Sequence, residues 1–169
     1  IIIATTINEN DDKIASWSEE NDVKCFRGSE NNVLEVDYEA AKHFNSETII
    51  RITADDPFKD YQIMDAVIKK FQAEGVDFAC NNNPPSYPEG IDIEVFSFEA
   101  IEKAYLNAKS TFEKEHVTQY FYKNPETFKI SNLKNKENLS SLRWTVDEEK
   151  DLVMTRKVYS ELFPIKEVF

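Results

Sequence analysis

Two kinds of hydrophobic pattern alternate along the chain. Short apolar runs rich in β-branched residues are typical of buried strands, whereas apolar residues at every third or fourth position are typical of amphipathic helices. Their alternation predicts an α/β fold with a mainly parallel sheet flanked by helices. The predicted strands are residues 1–6, 23–26, 48–53, 76–80, 91–96, 127–133 and 142–146. The predicted helices are residues 11–20, 32–44, 61–74, 98–109, 110–123 and 148–162.

The segment 61–74 has the clearest helical signal. Its apolar residues fall on one face, Asp60 is placed to cap its first turn, and Gly75 is placed to end it. Ser110 and Glu113 have the spacing of a capping box at the start of a later helix. In the last predicted helix, four apolar residues are expected to pack against the core: Leu152, Val153, Tyr159 and Leu162.

The segment 91–96 alternates strictly between apolar and other residues. Asp92 and Glu94 fall on its polar face, which predicts a strand that is only half buried. The preceding segment, 81–90, contains three prolines, which cannot donate hydrogen bonds to a strand ladder. We therefore expect a structured loop there.

Length and composition favour a single domain. The chain has 169 residues, of which 41% are hydrophobic, enough for one sizeable core. The net charge of −12 argues against nucleic acid as a partner, because phosphate contacts need a basic surface. No apolar run approaches the roughly 20 residues of a membrane span, so no membrane partner is expected. Cys25 and Cys80 have neither metal-site nor disulfide spacing, which favours reduced thiols in the cytoplasm.

The chain begins directly on a predicted strand, at Ile1, with no initiator methionine and no leading turn. A strand must be paired to be stable. We therefore expect this chain, residues 1–169, to be a single, amino-terminally truncated domain whose upstream part completes both the sheet and the site.

Two apolar runs end on acidic residues. Asp55 follows the run 48–53, and Asp147 follows the run 142–146. In open α/β sheets, ligands bind beyond the carboxyl ends of the strands, so these two carboxylates could converge on one metal ion. A simpler interpretation stays open for each residue: Asp55 as a turn former before Pro57, and Asp147 as the N-cap of the last helix.

Six motifs occur in a recognisable order. They are Ala4-Thr5-Thr6, Phe26 to Glu30, Arg51 to Pro57, Tyr87 to Phe96, Glu115 to Thr118, and Leu142 to Asp147. In these motifs the chain closely resembles the sugar cytidylyltransferases, specifically the spore-coat polysaccharide biosynthesis branch. That branch is related to the acylneuraminate and 3-deoxy-manno-octulosonate cytidylyltransferases. The resemblance covers essentially the whole chain.

The resemblance implies a Rossmann-like nucleotidyltransferase fold and transfer of a cytidylyl group from CTP to a sugar or sugar acid, with release of pyrophosphate. It implies a requirement for Mg²⁺, with Asp55 and Asp147 as metal ligands and catalytic residues. It also implies a homodimer formed through the region near 84–133. The family's leading strand and its Arg-x-x-Ser-x-Arg-Leu-Pro-x-Lys triphosphate loop have no match in this sequence.

Two further groups of site residues are predicted. The resemblance assigns base and ribose contacts to Thr5, Thr6, Arg27, Gly28 and Ser29. The candidates on the sugar side, where carboxylates match hydroxyls and a ring can stack, are Tyr87, Gly90, Asp92, Glu94 and His116.

Each group has a competing structural interpretation. Gly28 could only enable a turn while Ser29 caps the following helix. Asp92 and Glu94 could form a solvated edge face that discourages pairing between sheets. His116 could be structural, and the two arginines within predicted strands, Arg51 and Arg143, are expected to pair with acids.

Two other functions stay open. Without the phosphate loop, the chain could be a non-catalytic remnant, or a subunit that binds only nucleotide or a partner. A metal-dependent glycosyltransferase also uses acids at strand ends, although Asp55-Asp56 lacks the usual Asp-x-Asp spacing.

Overall fold

The computed structural model describes residues 1–167. Its strands are β1 (Ile2–Thr6), β2 (Lys24–Gly28), β3 (Thr48–Arg51), β4 (Phe78–Cys80), β5 (Glu94–Ser97) and β6 (Ile130–Asn132). Its helices are α1 (Asp12–Glu20), α2 (Val33–His43), α3 (Tyr61–Glu74), α4 (Phe98–Asn107), α5 (Thr111–Glu115), α6 (Gln119–Lys123) and α7 (Glu149–Leu162). A 3₁₀ turn, Glu9–Asp11, precedes α1.

The strands are arranged in two sheets. Strands β1 and β2 pair in parallel, with Thr5 opposite Arg27 and Thr6 opposite Gly28. The other strands form a four-stranded sheet of order β3-β5-β4-β6. Strand β5 therefore lies in the interior of its sheet. Because helices separate most strands along the chain, the α/β class predicted from the sequence is confirmed.

The chain divides into two compact units. The first comprises residues 1–49, 75–78 and 96–130. The second comprises residues 50–74, 79–95 and those from 131 onward. Whether these units fold as one domain stays a prediction from chain length.

The core of the first unit is mainly aromatic. The rings of Phe78 and Phe121 stack with centroids 5.0 Å apart, and Phe128 meets Phe121 edge-on at 4.9 Å. Between α2 and α4, Tyr38 stacks on Tyr105 at 4.5 Å. Large rings contribute much buried apolar surface per residue, which suits a unit assembled from three separate stretches of chain.

The core of the second unit includes a polar side chain. Asn81 is fully buried among Val67, Cys80 and other apolar residues. Its amide nitrogen donates to the carbonyl of Ile91 at 2.9 Å, and its amide oxygen accepts from the amide of Ile93 at 2.8 Å. Asn81 thus satisfies two main-chain groups just before β5 begins.

Helix α3 agrees with its prediction at both ends. The Asp60 carboxylate accepts hydrogen bonds from the amides of Gln62 at 2.7 Å and Ile63 at 3.2 Å, which confirms the predicted N-cap. Gly75 follows the helix with a φ of +56°, the left-handed conformation of a C-cap glycine.

The strand predicted over 142–146 is wrong. Only Arg143 forms an isolated bridge, which pairs it in parallel with Glu89. The partner of this segment is the proline-containing loop 81–90, and a loop with few free amides cannot sustain a ladder. Leu142 and Trp144 are consequently exposed.

The half-buried edge predicted for 91–96 is also wrong. Strand β5 begins only at Glu94 and lies between two other strands. Glu94 is 6% exposed, and Ile93 and Val95 are fully buried, so both faces of this strand are covered. The solvated-edge interpretation of Asp92 and Glu94 is therefore wrong as well.

The helix predicted over 110–123 is interrupted. The capping box of Ser110 and Glu113 is present, but α5 ends at Glu115 and α6 starts at Gln119. The break buries Val117 and Thr118 in the first unit.

Most of the face of α7 that was predicted to pack is exposed. Three of its residues are at least 37% exposed: Leu152, Val153 and Leu162. Tyr159 does pack, because its ring stacks on Phe58 with centroids 5.8 Å apart and its hydroxyl donates to the Pro57 carbonyl at 2.8 Å. The buried residues of this helix are Asp151 and Thr155. The physical reason is that a salt bridge from Arg143 to Asp151 anchors the helix through its polar side.

Within residues 1–167, the structure contains no helix with the length and hydropathy of a bilayer span. Cys25 and Cys80 are both free thiols.

Candidate active site

The two predicted metal-binding segments lie side by side in the second unit. The amide of Val146 donates a hydrogen bond to the carbonyl oxygen of Asp55 at 2.8 Å. Asp55 is exposed, and its carboxylate has no hydrogen-bond or ion-pair partner in residues 1–167. The backbone contact thus brings together the chain segments that carry Asp55 and Asp147.

An arginine orients the carboxylate of Asp147. The Arg143 guanidinium donates to Asp147 Oδ2, and also to Asp151 at 3.0 and 3.1 Å. Asp151 further accepts the amides of Asp147 at 3.1 Å and Glu148 at 2.9 Å. The hydrogen bonds from Arg143, followed by that from Glu148, hold the pKa of Asp151 well below its ordinary value. The N-cap of α7 is Glu148, so the interpretation of Asp147 as that cap is wrong.

Asp56, next to Asp55, is buried and fully engaged. It accepts hydrogen bonds from Lys59 Nζ and Thr53 Oγ1, each at 2.7 Å. Burial opposes ionisation of this carboxyl, but the bonds from Lys59 and Thr53 outweigh it and lower the pKa of Asp56. Asp56 therefore stabilises the turn after β3, where an ionised carboxylate is held by a buried lysine.

A small polar cavity lies beside these residues. It has a volume of about 70 Å³ and is lined by Arg51, Thr53, Asn82, Asp92 and Glu94. Arg51 Nη1 contacts Glu94 Oε2 at 2.9 Å, which confirms the expected pairing of this arginine with an acid. Burial, above all, raises the pKa of Asp92 to about 6. Two predicted sugar-side residues, Asp92 and Glu94, are thus brought together at one cavity.

The glycine of the sugar-side motif has a structural function. Gly90 has a φ of +98°, and a Cβ atom there would lie 2.8 Å from the carbonyl carbon of Trp144 and 2.9 Å from the nitrogen of Thr145. The amide of Trp144 donates to the Glu89 carbonyl at 2.8 Å. Gly90 therefore permits the close approach that attaches the loop to the Asp147 segment. Tyr87 is half-buried nearby in the sequence, and burial followed by the charge of Asp60 raises its pKa.

The predicted nucleotide residues converge at the carboxyl ends of β1 and β2, in the first unit. Asp11 Oδ2 accepts hydrogen bonds from Thr5 Oγ1 at 2.9 Å, Thr6 Oγ1 at 2.5 Å and the amide of Thr6 at 3.0 Å. These bonds, led by those from the Thr6 and Thr5 side chains, lower the pKa of Asp11. Both threonine hydroxyls thus donate to Asp11, and Thr6 Oγ1 also accepts the amide of Asn8 at 3.2 Å.

Arg27 is engaged within the protein. Its Nε donates to the Thr6 carbonyl and its Nη2 to the Asn8 carbonyl, both at 2.8 Å, while Nη1 pairs with Asp12 at 2.7 Å. The guanidinium therefore holds the loop that follows β1 in place.

Gly28 and Ser29 have local packing roles. A Cβ atom on Gly28 would lie 2.6 Å from Val36 Cγ2, so glycine lets α2 pack closely on β2. Ser29 Oγ accepts the amide of Asn31 at 3.3 Å. The N-cap of α2 is Asn32, which accepts the Glu35 amide, so the expectation that Ser29 caps this helix is wrong.

His116 belongs to a different compact unit from the other sugar-side candidates. It is the exposed C-cap residue of α5, in the first unit, and its ring meets Phe112 edge-on at 4.5 Å. Tyr87, Gly90, Asp92 and Glu94 all belong to the second unit.

The sequence did not indicate three residues that shape these sites: Asp11, Asp56 and Lys59. Each acts through a side-chain contact. For Lys59, the spacing of three residues from Asp56 is the available sequence signal, since such a pair can meet within one turn. For Asp11, no local pattern marks its bonds to Thr5 and Thr6.

Comparison with known proteins identifies the family. Residues 1–166 match the family model described as Cytidylyltransferase. The chain is 38% identical over 164 residues to the uncharacterized protein MJ1063 of Methanocaldococcus jannaschii, a match that covers 96% of this chain and 65% of that protein. It is 28% identical over 164 residues to the spore coat polysaccharide biosynthesis protein SpsF of Bacillus subtilis, covering 95% of this chain and 67% of SpsF. The chain thus spans about two thirds of the length of these curated relatives.

A solved structure shares the fold. The cytidylyltransferase from Leptospira borgpetersenii serovar Hardjo-bovis superposes with a TM-score of 0.90 at 30% identity, covering 95% of this chain and 68% of that one. This similarity confirms the nucleotidyltransferase fold expected from the six motifs. The chain belongs to the cytidylyltransferase family.

Proposed function

We propose that this protein transfers a cytidylyl group from CTP to a sugar or sugar acid, giving a CMP-sugar and pyrophosphate. Family membership supports the CTP-dependent reaction. Similarity to a spore coat polysaccharide biosynthesis protein supports a sugar acceptor and a role in surface polysaccharide synthesis. The free thiols of Cys25 and Cys80 favour the cytoplasm as its compartment.

The observation that carries the proposal is the hydrogen bond between Val146 and Asp55. The bond joins the two acidic segments, and Thr53, two residues before Asp55, lines a small polar cavity of the same unit. Transfer of a nucleotidyl group needs positioning and charge neutralisation more than covalent chemistry. Adjacent acids, the two partly buried cations Arg51 and Lys59, and a cavity for a hydroxyl together fit that requirement.

The proposal includes Mg²⁺ held by Asp55 and Asp147. Mg²⁺ usually takes one or two protein carboxylates, with waters and phosphate oxygens completing its coordination. Asp55 offers an exposed, unpartnered carboxylate, and Arg143 engages only Oδ2 of Asp147 among the described contacts. Within residues 1–167 the structure contains no group of three or more potential metal ligands. In the proposal, phosphate oxygens of the nucleotide and waters complete the coordination. When bound, the ion neutralises the charge that develops on the phosphates.

The protein's own residues position the reactants. Arg143 orients Asp147, and the backbone bond from Val146 holds Asp55 beside it. In the first unit, Asp11 accepts hydrogen bonds from the hydroxyls of Thr5 and Thr6, so lone pairs on the two hydroxyl oxygens remain to accept hydrogen bonds from a ligand. The ribose hydroxyls and the cytosine amino group are donors of that kind.

Pyrophosphate release from CTP tests the proposal. The assay uses acylneuraminate and 3-deoxy-manno-octulosonate as acceptors, with the wild type, Asp55→Asn and Asp147→Asn. We expect both variants to lose activity by about a hundredfold or more, because each removes one ionic ligand. Asp65→Asn, an exposed acid on α3, serves as the control and is expected to retain wild-type activity.

The alternative of a non-catalytic nucleotide-binding protein gives a different result. In that case the wild type binds CTP by calorimetry but releases no pyrophosphate with any acceptor. Undiminished activity of Asp55→Asn and Asp147→Asn would instead contradict the metal assignment alone.

We also propose a homodimer that forms through the region near 84–133. This region exposes two large apolar side chains, Leu106 at 70% and Phe112 at 48%. Light scattering at micromolar concentrations is expected to give twice the monomer mass. A constant monomer mass across that range would contradict this part of the proposal.

A further inference from the structure

The carboxylate of Asp92 differs from two buried acids near it, Glu94 and Asp56, in having no partner. Glu94 is paired with Arg51, and Asp56 is paired with Lys59. The side chain of Asp92, in contrast, accepts no hydrogen bond from residues 1–167, although it is partly buried and lines the polar cavity. A partly buried, unpartnered carboxylate in a cavity points to a ligand group as its partner.

The position of Asp92 is fixed by main-chain contacts on both sides. Lys59 Nζ donates to its carbonyl oxygen at 2.5 Å. The buried amide of Asn81 holds the carbonyl of Ile91 at 2.9 Å and the amide of Ile93 at 2.8 Å. The carboxylate is therefore presented at the cavity by a rigid backbone, as a preorganised catalytic group requires.

The size of the cavity limits what can enter it. Its volume of about 70 Å³ holds one or two small polar groups, since a water molecule takes about 30 Å³ of liquid volume. The cavity therefore has room for one hydroxyl group of an acceptor with its carbon. Thr53, Asn82 and Arg51, which also line the cavity, offer polar groups around such a hydroxyl.

The charges around Asp92 favour a proton acceptor near neutrality. Burial is the largest cause that raises its pKa, to about 6; Lys59 opposes the rise, and Asp56, Glu94 and Glu89 add to it. Arg51 is the other charged group at the cavity. A carboxylate with a pKa close to the operating pH is suited to general-base catalysis.

We propose that Asp92 is the general base that removes the proton from the attacking hydroxyl of the acceptor sugar. The inference rests on the proposed cytidylyl transfer and assigns one residue a step in it. The acceptor O–H bond breaks and its proton passes to the Asp92 carboxylate. The acceptor oxygen forms a bond to the α-phosphorus of CTP, and the bond from that phosphorus to the bridging oxygen breaks, so that pyrophosphate leaves with the electron pair.

Kinetics of Asp92→Asn test this role. We expect kcat to fall by about 10²- to 10⁴-fold, with a much smaller change in KM for CTP. In the wild type, kcat/KM is expected to fall as the pH drops below about 6, because the base becomes protonated. In Asp92→Asn this acid-side fall in kcat/KM is absent. Asp92→Glu is expected to restore part of kcat and the acid-side fall. Glu137→Gln, an exposed acid of the same unit, is the control and keeps the wild-type profile.

A carbon-13 NMR titration of the aspartate carboxyls gives a readout that needs no turnover. The signal that disappears in Asp92→Asn is expected to titrate near pH 6 in the wild type. A pKa of about 3.9 for this carboxyl, the ordinary aspartate value, would overturn the inference. So would an Asp92→Asn variant that keeps the wild-type kcat and the acid-side fall in kcat/KM. If the wild type makes no CMP-sugar, the proposed function fails, and the titration alone then decides whether Asp92 is a poised base.

Discussion

The amide of Val146 donates its hydrogen to the carbonyl oxygen of Asp55, with 2.8 Å between nitrogen and oxygen. This single bond joins segments that lie ninety-one positions apart in the chain, as 146 minus 55 shows. Because Asp147 is the next residue, the bond places two acidic positions in one neighbourhood. The proposed Mg²⁺ site depends on that relationship.

Gly90 is expected to be intolerant of any side chain. Gly90→Ala combines a φ of +98° with a Cβ atom 2.8 Å from the Trp144 carbonyl carbon, and neither strain can be relieved by a flexible group. We expect a loss of about 3 kcal/mol or more in the free energy of unfolding, measured by urea denaturation.

Gly75→Ala provides the matched comparison. Gly75 also has a positive φ, +56°, but a Cβ atom there meets nothing within 4 Å. The expected loss is about 1 kcal/mol, from backbone conformation alone. Equal losses in the two variants would show that the approach of the Trp144 backbone to Gly90 is not as tight as described.

Asp151 is expected to make the free energy of unfolding depend on pH in the acidic range. Its pKa is lowered in the folded state by Arg143, so its contribution is present above the ordinary aspartate pKa of about 3.9 and is lost as the pH falls below it. Asp151→Asn is therefore less stable than the wild type at neutral pH, and the difference narrows on acidification. Urea unfolding at several pH values measures it, with Glu149→Gln as an exposed control on the same helix. A difference that stays constant with pH would count against this role.

Asn81 is expected to be a stability determinant of the second unit. Asn81→Ala leaves the Ile91 carbonyl and the Ile93 amide without their partner in a buried setting. The expected cost is about 2–4 kcal/mol, since each unsatisfied buried group costs about 1–3 kcal/mol. Asn83→Ala, at an exposed position two residues later, should change stability by about 0.5 kcal/mol or less. Chemical denaturation of both variants decides, and a similar small effect at Asn81 would refute the assignment.

Local sequence determined the helices well and the pairing of strands less well. Helix α3 has the predicted bounds because its apolar spacing, its Asp60 cap and Gly75 all act within a few residues. The burial of Glu94 depends on β5 lying between two strands that are distant in sequence, which no alternation can indicate. The face by which α7 packs likewise depends on Arg143, which precedes the helix.

Part of the candidate site could be predicted from sequence motifs, and part could not. The motifs mark Asp55, Asp147 and Asp92, and two of these residues, Asp55 and Asp92, lie within a few residues of strands β3 and β5. The contact of Lys59 with Asp56 is local, but its contact with the Asp92 carbonyl, 33 residues away, arises only from tertiary folding. The three hydrogen bonds that Asp11 accepts span five or six residues and follow no local sequence pattern.

Binding of Mn²⁺, a spectroscopic substitute for Mg²⁺, most directly tests whether Asp55 and Asp147 share one divalent ion. Electron paramagnetic resonance measures free Mn²⁺ in the presence of CTP, without any need for turnover. We expect one ion per wild-type chain, and a dissociation constant raised at least about tenfold in both Asp55→Asn and Asp147→Asn but not in Asp65→Asn. Wild-type affinity in either of the first two variants would contradict the account.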